Sequence, residues 1–155
     1  MPRAKGRSEK TFQTEIYQSL RSLSGTKFYH KIVDSGYTNP FDAVMCYART
    51  FYALEYKISK NTISIPLCQL FYRRSHELSA LKQVRQAGGK SWILINVFNP
   101  HKWNYVLAMD PTQYEFIVAY IAPKKSIRLD DPMIKREILH LEKSDGVWNL
   151  KPLII

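Results

Sequence analysis

The chain has 155 residues, which is enough for one domain with a normal hydrophobic core and short for two. Hydrophobic residues make up 45% and charged residues 23%, and this composition excludes an intrinsically disordered chain. The 23 Lys and Arg residues against 13 Asp and Glu residues give a formal charge of +10, which favours a polyanionic partner, although a basic surface can also serve solubility alone.

The cysteines and the apolar runs exclude several other classes. Cys46 and Cys68 are the only cysteines, and neither belongs to a CxxC pair, so we expect no structural zinc and no disulfide framework. The first residues lack the apolar core of a signal peptide, and no apolar run approaches the roughly 20 residues that cross a bilayer. We therefore expect a cytoplasmic protein with no membrane partner.

The first third of the chain predicts a helix followed by strands. Residues 1–7 are expected to form a flexible basic arm. Apolar residues then recur at the spacing of one helix face, which predicts an amphipathic helix over about 8–23. Strands are predicted over 27–33, 41–47 and 50–58, and their near-continuous apolar character indicates a sheet that is covered on both faces.

The remainder predicts further alternation. A second helix is expected over about 75–87, with Ser75 as its N-cap and Gly88-Gly89 as its stop signal. Strands follow over 90–98 and 105–109. Asp110-Pro111 begins a helix that reaches about residue 120, and the same signal at Asp131-Pro132 predicts a last helix over 133–142. This order predicts an α/β fold with a mixed β-sheet flanked by helices, in which a core over 8–121 carries a C-terminal extension over 122–155 packed on the same domain.

Two acidic residues face each other if the second and third strands form a hairpin. A two-residue turn at Ala48-Arg49 pairs residue 47 with residue 50 and, counting back, Asp42 with Glu55. Directly opposed residues have Cβ atoms only about 4.5–5.5 Å apart, and like charges placed so are destabilising without a cation between them. Ala-Arg lacks the Asn-Gly chemistry that usually favours so tight a turn.

The residues around this pair suit metal-assisted hydrolysis of a phosphodiester. Two carboxylates without a nearby Cys or His cluster favour Mg²⁺ or Mn²⁺ over zinc. Lys57 follows Glu55 by two residues and therefore projects from the same face of its strand. The metal would activate water and polarise the phosphate, and Lys57 would stabilise the transition state. The alternative is a charged rim in which Lys57 balances two exposed acids.

These residues also resemble a known family. Pro40-Phe41-Asp42 followed by Leu54-Glu55-Tyr56-Lys57 resembles the PD-(D/E)xK nucleases, and residues from about 6 to 121 look most like the RecU-type Holliday-junction resolvases. Further matching stretches occur in the same order along the chain: residues 12–16, His30-Lys31, Ile65-Pro66-Leu67, His76 and Gly88-Gly89-Lys90. Between His30 and Asp42 the family has a long projecting stalk, and only eleven residues fill this interval here, so the resemblance is to a stalkless resolvase.

The resemblance implies a restriction-endonuclease-like fold and a homodimer that resolves four-way DNA junctions. It implies that Asp42 and Glu55 hold Mg²⁺, for which Mn²⁺ would substitute, with help from the Tyr56 carbonyl. Lys57 would serve the transition state, and Glu15 on the first helix would assist the metal or the water. After His76 the family has a glutamine, where this chain has Glu77.

Basic residues at the arm, near the predicted site and before the second helix are candidates for phosphate contacts, which give affinity without reading base sequence. They are Arg3, Lys5, Arg7, Lys31, Lys60, Arg73 and Arg74. Two alternatives remain open at this stage. One is another PD-(D/E)xK nuclease, such as a restriction or repair nickase, and the other is a DNA-binding module without catalytic activity.

Overall fold

The computed structural model describes residues 7–32, 39–60, 64–67, 70–71, 74–100, 103–122, 126–128 and 130–154. The helices are α1 (Glu9–Arg21), α2 (Ser75–Gln86), α3 (Pro111–Tyr120), α4 (Pro132–Glu137) and α5 (Lys151–Ile154). The strands are β1 (Lys27–Lys31), β2 (Ala43–Tyr47), β3 (Thr50–Ser59), β4 (Ser64–Ile65), β5 (Lys90–Asn99), β6 (Trp103–Met109), β7 (Ile127–Arg128), β8 (Leu139–Leu141), β9 (Lys143–Ser144) and β10 (Val147–Trp148).

Six of these strands form one sheet in the order β1-β2-β3-β5-β6-β8. The β3–β5 pair is parallel and its neighbours are antiparallel, so the sheet is mixed. The parallel pair requires a crossover, which contains α2. The predicted α/β class, with a mixed sheet flanked by helices, is confirmed.

Each face of the sheet has its own hydrophobic core. On one face α1 and the C-terminal segment pack on β2, β3 and β5 through Phe12, Tyr56 and Trp148, with the ring of Phe12 edge-on to that of Tyr56. On the other face α2 and α3 pack through Leu81 and Ile117. The middle strands β3 and β5 are therefore buried on both sides, as their apolar sequences predict.

The predicted hairpin between β2 and β3 is present in the expected register. Tyr47 pairs with Thr50, and the ladder continues to Ala43 opposite Leu54. Ala48 and Arg49 form the turn with φ angles of 48° and 65°. Two positive φ values characterise the turn that suits the twist of a hairpin, so the chain adopts it without the residues that favour it most.

The covering of the sheet differs from the prediction at one end. We expected β2 to be buried on both faces, but Cys46 is exposed and Val44 is only half-buried. The neighbouring β1 also exposes Phe28 and His30 on that face. Helix α2 contacts β3 and β5, and no described helix covers this face of β1 and β2.

Two helices begin with side-chain caps that agree with the sequence, and a third begins without the cap that we predicted. Ser8 caps α1 by accepting a hydrogen bond from the Thr11 amide, and Asp110 forms a complete capping box with Gln113 at α3. The predicted cap at Ser75 is wrong, because Ser75 is already helical and Arg74 precedes it without a side-chain cap.

The predicted helix over 133–142 is also wrong. Helix α4 ends at Glu137, and Ile138 takes extended backbone angles before β8 pairs with Val106–Ala108 of β6. A strand edge that needs hydrogen-bond partners outweighs the helical propensity of this short segment. The chain then returns across α1, where the Trp148 amide donates a hydrogen bond to Ser19 Oγ. Further on, the carbonyl of Leu153 accepts a hydrogen bond from Trp92 Nε1 of β5.

Among the described residues, none of the helices has the length and apolar character that crossing a membrane requires.

Candidate active site

The carboxylates of Asp42 and Glu55 lie together at the open end of the β2–β3 hairpin. Asp42 directly precedes the last ladder pair, Ala43 opposite Leu54, and its amide still donates to the Leu54 carbonyl at 3.1 Å. One carboxylate oxygen of Asp42 accepts a 2.8 Å hydrogen bond from the Tyr56 amide. The side chain of Asp42 is thereby tied to the strand that carries Glu55 and Lys57.

Lys57 is held between two carboxylates. Its Nζ lies 2.6 Å from Glu55 Oε1 and 3.2 Å from Glu77 Oε2, and it also lies 5.2 Å from the centre of the Phe71 ring. Arg74 Nη1 lies 3.5 Å from the other oxygen of Glu77. The result is a chain of alternating charges that links β3 to the start of α2.

Burial changes the protonation of these groups. Glu55 is 1% exposed, and removal from water together with the charge of Asp42 raises the pKa of Glu55 to about 8 despite the nearness of Lys57. Burial also raises the pKa of Asp42, against the opposing effects of the Tyr56 amide and Lys57. Burial alone would lower the pKa of Lys57, but Glu55 and Glu77 raise it, so Lys57 carries its charge.

The donor set fits a hard divalent cation. Glu55 Oε2 is buried and has no hydrogen-bond partner among the described residues. The Tyr56 amide points toward Asp42, and because N–H and C=O of one strand residue lie on the same side, the Tyr56 carbonyl points there too. In the described part of the chain, no three His, Cys, Asp or Glu side chains converge as a metal cluster. Two carboxylates completed by water or phosphate oxygens are typical of Mg²⁺ sites.

The structure does not bring Glu15 to this site. Glu15 hydrogen-bonds to Arg7 and to Trp148 Nε1, and Lys143 Nζ lies 3.4 Å from it. Burial would raise the pKa of Glu15, but Arg7, Trp148 and Lys143 lower it overall. Glu15 therefore stabilises the contact between α1 and the C-terminal segment. We had expected it to lie near the metal instead.

Two acids near the site were not assigned to it from the sequence. The pKa of Glu9, in the first turn of α1, is raised by removal from water and then by the charge of Asp42. Glu77 lies on the buried face of α2 one turn before Leu81. In both cases the signal was helical spacing: Glu9 precedes buried Phe12 and Gln13 by three and four residues, and Glu77 precedes Leu81 by four.

Arg7 is occupied inside the molecule rather than at a DNA surface. Its side chain is 8% exposed, pairs with Glu15, donates to the side chain of Asn96 and lies over the Phe98 ring at 4.7 Å. The expected phosphate contact through Arg7 is therefore replaced by an internal one. Residues 1–6 of the predicted basic arm lie outside the described residues.

The other predicted DNA contacts are divided. Lys31 and Lys60 are exposed near the site end of the sheet, and the side chain of Arg74 is 62% exposed beside Glu77. Arg49, a further exposed basic residue, lies at the turn at the opposite end of the hairpin. Arg3, Lys5 and Arg73 lie outside the described residues.

Comparisons with known proteins give a distant similarity among solved structures. No protein-family profile matches the chain, and no curated protein matches it in sequence. Among solved structures, the chain is similar to Archaeoglobus fulgidus Hjc, a Holliday junction resolvase from an archaeal hyperthermophile. The two share 17% sequence identity at a TM-score of 0.43, over 68% of this chain and 75% of that chain.

Proposed function

We propose that this protein is a Mg²⁺-dependent DNA endonuclease of the PD-(D/E)xK class. The observation that carries the proposal is that Asp42 and Glu55 lie together just beyond the last β2–β3 ladder pair, with Lys57 beside Glu55. A charged rim would leave these groups in water, whereas Glu55 is buried and one of its oxygens has no hydrogen-bond partner in the described part of the chain. Structural ion pairs seldom place two acids side by side in this way, because like charges destabilise each other.

In the proposed reaction Asp42, Glu55 and the Tyr56 carbonyl hold the metal. The bound ion supplies a nucleophilic water and polarises the phosphate. Lys57 places a positive charge where negative charge develops on the phosphoryl oxygens. If Glu55 held the metal, Glu77 would still hold Lys57 in place through its own ion pair. Mn²⁺, which accepts similar oxygen ligands, is expected to substitute.

We further propose that the substrate is a four-way DNA junction and that the enzyme acts as a homodimer. The support is the sequence resemblance to stalkless junction resolvases and the chain charge of +10. Two-fold symmetry would supply two equivalent sites for paired cuts on opposing strands. An open junction presents two scissile phosphates without the bending energy that a linear duplex would require.

The test uses an end-labelled four-way junction and a linear duplex of the same sequence, each incubated with Mg²⁺, Mn²⁺ or EDTA. We expect paired nicks near the branch point with either metal and no cleavage in EDTA. Competition with unlabelled duplex measures the preference for the junction. Equal affinity for both DNAs with scattered nicks would indicate another nuclease of the class, and binding without cleavage under all conditions would indicate a DNA-binding module.

A further inference from the structure

A row of exposed aromatic side chains continues from the candidate site along the uncovered face of the sheet. In the observed register Phe28 pairs with Cys46 and Cys46 pairs with Phe51, so all three project from the same face of β1, β2 and β3. His30 follows Phe28 by two residues on that face, and the two rings are nearly parallel with centroids 6.4 Å apart. We call these four residues the aromatic face.

The aromatic face is on the same side of the sheet as the acid pair. Asp42 precedes Val44 and Cys46 by two and four residues, and Glu55 follows Phe51 by four, so strand alternation points them in one direction. Four residues of strand correspond to about 13 Å. A DNA strand bound at the site could therefore reach the aromatic face within a few nucleotides.

The exposure of these rings is unusual for a packed domain. Phe28 is 58% exposed and Phe51 is 40% exposed, although Phe side chains are generally buried. Clustered exposed apolar rings mark an interaction surface more often than scattered ones do. The neighbouring depression is lined by Lys27 and Arg49 together with Phe28 and Cys46, and its lining includes no acidic residue.

The positive charge beside the aromatic face determines the kind of partner that it can bind. The Lys27 ammonium donates to the carbonyls of Leu23 and Gly25, so the available charge is that of Arg49. Two copies of a rim that carries Arg49 and no acid would repel each other, whereas a phosphate backbone is attracted. Aromatic rings bordered by basic side chains are typical of surfaces on which unpaired bases stack. Bases inside a duplex already stack on each other, so only single strands and open branch points offer a free face.

We propose that the aromatic face binds unpaired bases of the DNA strand that leaves the cleavage site, with Phe28 and Phe51 as the stacking side chains. The inference depends on the proposed function for its substrate and adds the part of that substrate which is recognised. It accounts for the selection of branched DNA by a chain without a stalk. Arg49, which is exposed at the turn before Phe51, then contacts a phosphate between the stacked bases.

Binding in EDTA, where no cleavage occurs, tests this proposal. Fluorescence anisotropy compares oligothymidylate, a blunt duplex and a four-way junction with open arms. Phe28→Ala and Phe51→Ala should each weaken binding of the single strand and the junction by about tenfold, and that of the duplex by less than about twofold. Phe116→Ala on α3 is the matched control, because this ring is 55% exposed away from the face, and it should change none of the affinities.

Further variants separate stacking from other roles of the same ring. Phe28→Trp should retain single-strand affinity, whereas Phe28→Leu, which keeps the apolar contact, should lose it. Thermal melting checks that each variant folds. Unchanged affinity in Phe28→Ala and Phe51→Ala would overturn the proposal, as would an equal loss on duplex. A change from dimer to monomer in light scattering would assign the aromatic face to a second copy of the chain and would also overturn it.

The same measurements distinguish this inference from the proposed nuclease activity. If the wild-type protein cleaves DNA with Mg²⁺ while the Phe28 and Phe51 variants bind normally, only the stacking surface is refuted. If the wild-type protein cleaves nothing but the variants lose single-strand affinity, the stacking surface stands and the nuclease is refuted.

Discussion

Asp42 and Glu55 differ in how firmly their protons are held, and their shared site depends on both being ionised. The Tyr56 amide stabilises the charge of Asp42, while one buried oxygen of Glu55 has no hydrogen-bond partner among the residues that the structure describes. A divalent cation would supply the missing positive charge and bind both groups. Single substitutions at these positions therefore test the metal site directly.

Asp42→Asn and Glu55→Gln should each abolish Mg²⁺-dependent cleavage, because each replaces a carboxylate that we propose as a metal ligand by an amide of nearly the same shape. DNA affinity should be retained or increased, since one negative charge near the phosphate is lost. A gel assay measures cleavage and anisotropy measures binding. Glu115→Gln, which alters an exposed carboxylate paired with Lys82, is the control that should keep full activity. Full activity in either site variant would refute the site.

The raised pKa of Glu55 also predicts how stability depends on pH. Between its unfolded pKa of about 4.5 and its folded pKa of about 8, the folded protein binds more protons than the unfolded chain, so stability falls as pH rises. Melting in EDTA should show a loss of roughly 6–12 °C between pH 5.5 and 8.5, which corresponds to about 3 kcal/mol. Glu55→Gln should remove most of this slope, and added Mg²⁺ should oppose the loss at high pH. A Tm that rises over this range and is unaffected by Glu55→Gln would contradict the assignment.

At the scale of elements, the β2–β3 hairpin was predictable because it is local. Counting from a two-residue turn set the register as far as Ala43 opposite Leu54, and this register brings the two acids together just beyond that pair. The parallel pairing of β3 with β5 depends on a crossover whose geometry leaves no periodic signal. For the same reason Glu77 and Glu9 could not be assigned to the site, since each reaches it through a helix packed from elsewhere in the chain.

The C-terminal part shows the limit of local signals more plainly. Asp131-Pro132 correctly marked a helix start, with Asp131 capping Met133. The helix ends after one and a half turns, because the exposed edge of β6 offers hydrogen bonds to Leu139–Leu141. Residues that are distant in sequence also explain why Arg7 does not make the expected contact with phosphate. Its side chain binds Glu15 and Asn96 inside the fold, and these two residues are remote from each other in sequence.

The hairpin turn yields a prediction of its own. Ala48 has a φ of 48°. This left-handed backbone conformation is unfavourable for alanine, and asparagine adopts it at a lower cost in free energy. Ala48→Asn should stabilise the protein by roughly 0.5–1 kcal/mol. Ala80→Asn, inside α2, should destabilise it by a similar amount, because Asn has lower helix propensity. Urea unfolding measures both, and stabilisation at neither or both positions would contradict the turn geometry.

On the scale of the whole molecule, the basic residues behind the net charge of +10 differ in how accessible they are to a polyanion. Arg7 is neutralised inside the fold, whereas Lys31, Lys60 and Arg74 remain exposed around the site. The salt dependence of DNA binding should therefore report the exposed group and the arm that precedes Arg7.

Removal of residues 1–6 should reduce the slope of log affinity against log salt by up to about two, if Arg3 and Lys5 each neutralise a phosphate. Arg7→Ala should leave this slope unchanged but destabilise the fold by about 1–3 kcal/mol, since Glu15 loses its main partner. Binding titrations over a range of salt concentrations, with melting curves for both variants, make the comparison. A reduced slope in Arg7→Ala would place that side chain on the DNA.

The local character of the β2–β3 hairpin also bears on the order in which the chain folds. Hairpins form in about 1–10 μs, whereas the pairing of β3 with β5 must close a long crossover that contains α2. We expect the two acids to meet while still in water, where both remain ionised and repel each other. The docking of α2 then brings Glu77 to Lys57 and removes Glu55 from solvent. Uptake of a proton during refolding near pH 7 would mark that late step. The time course of proton uptake would then report when β3 and β5 pair.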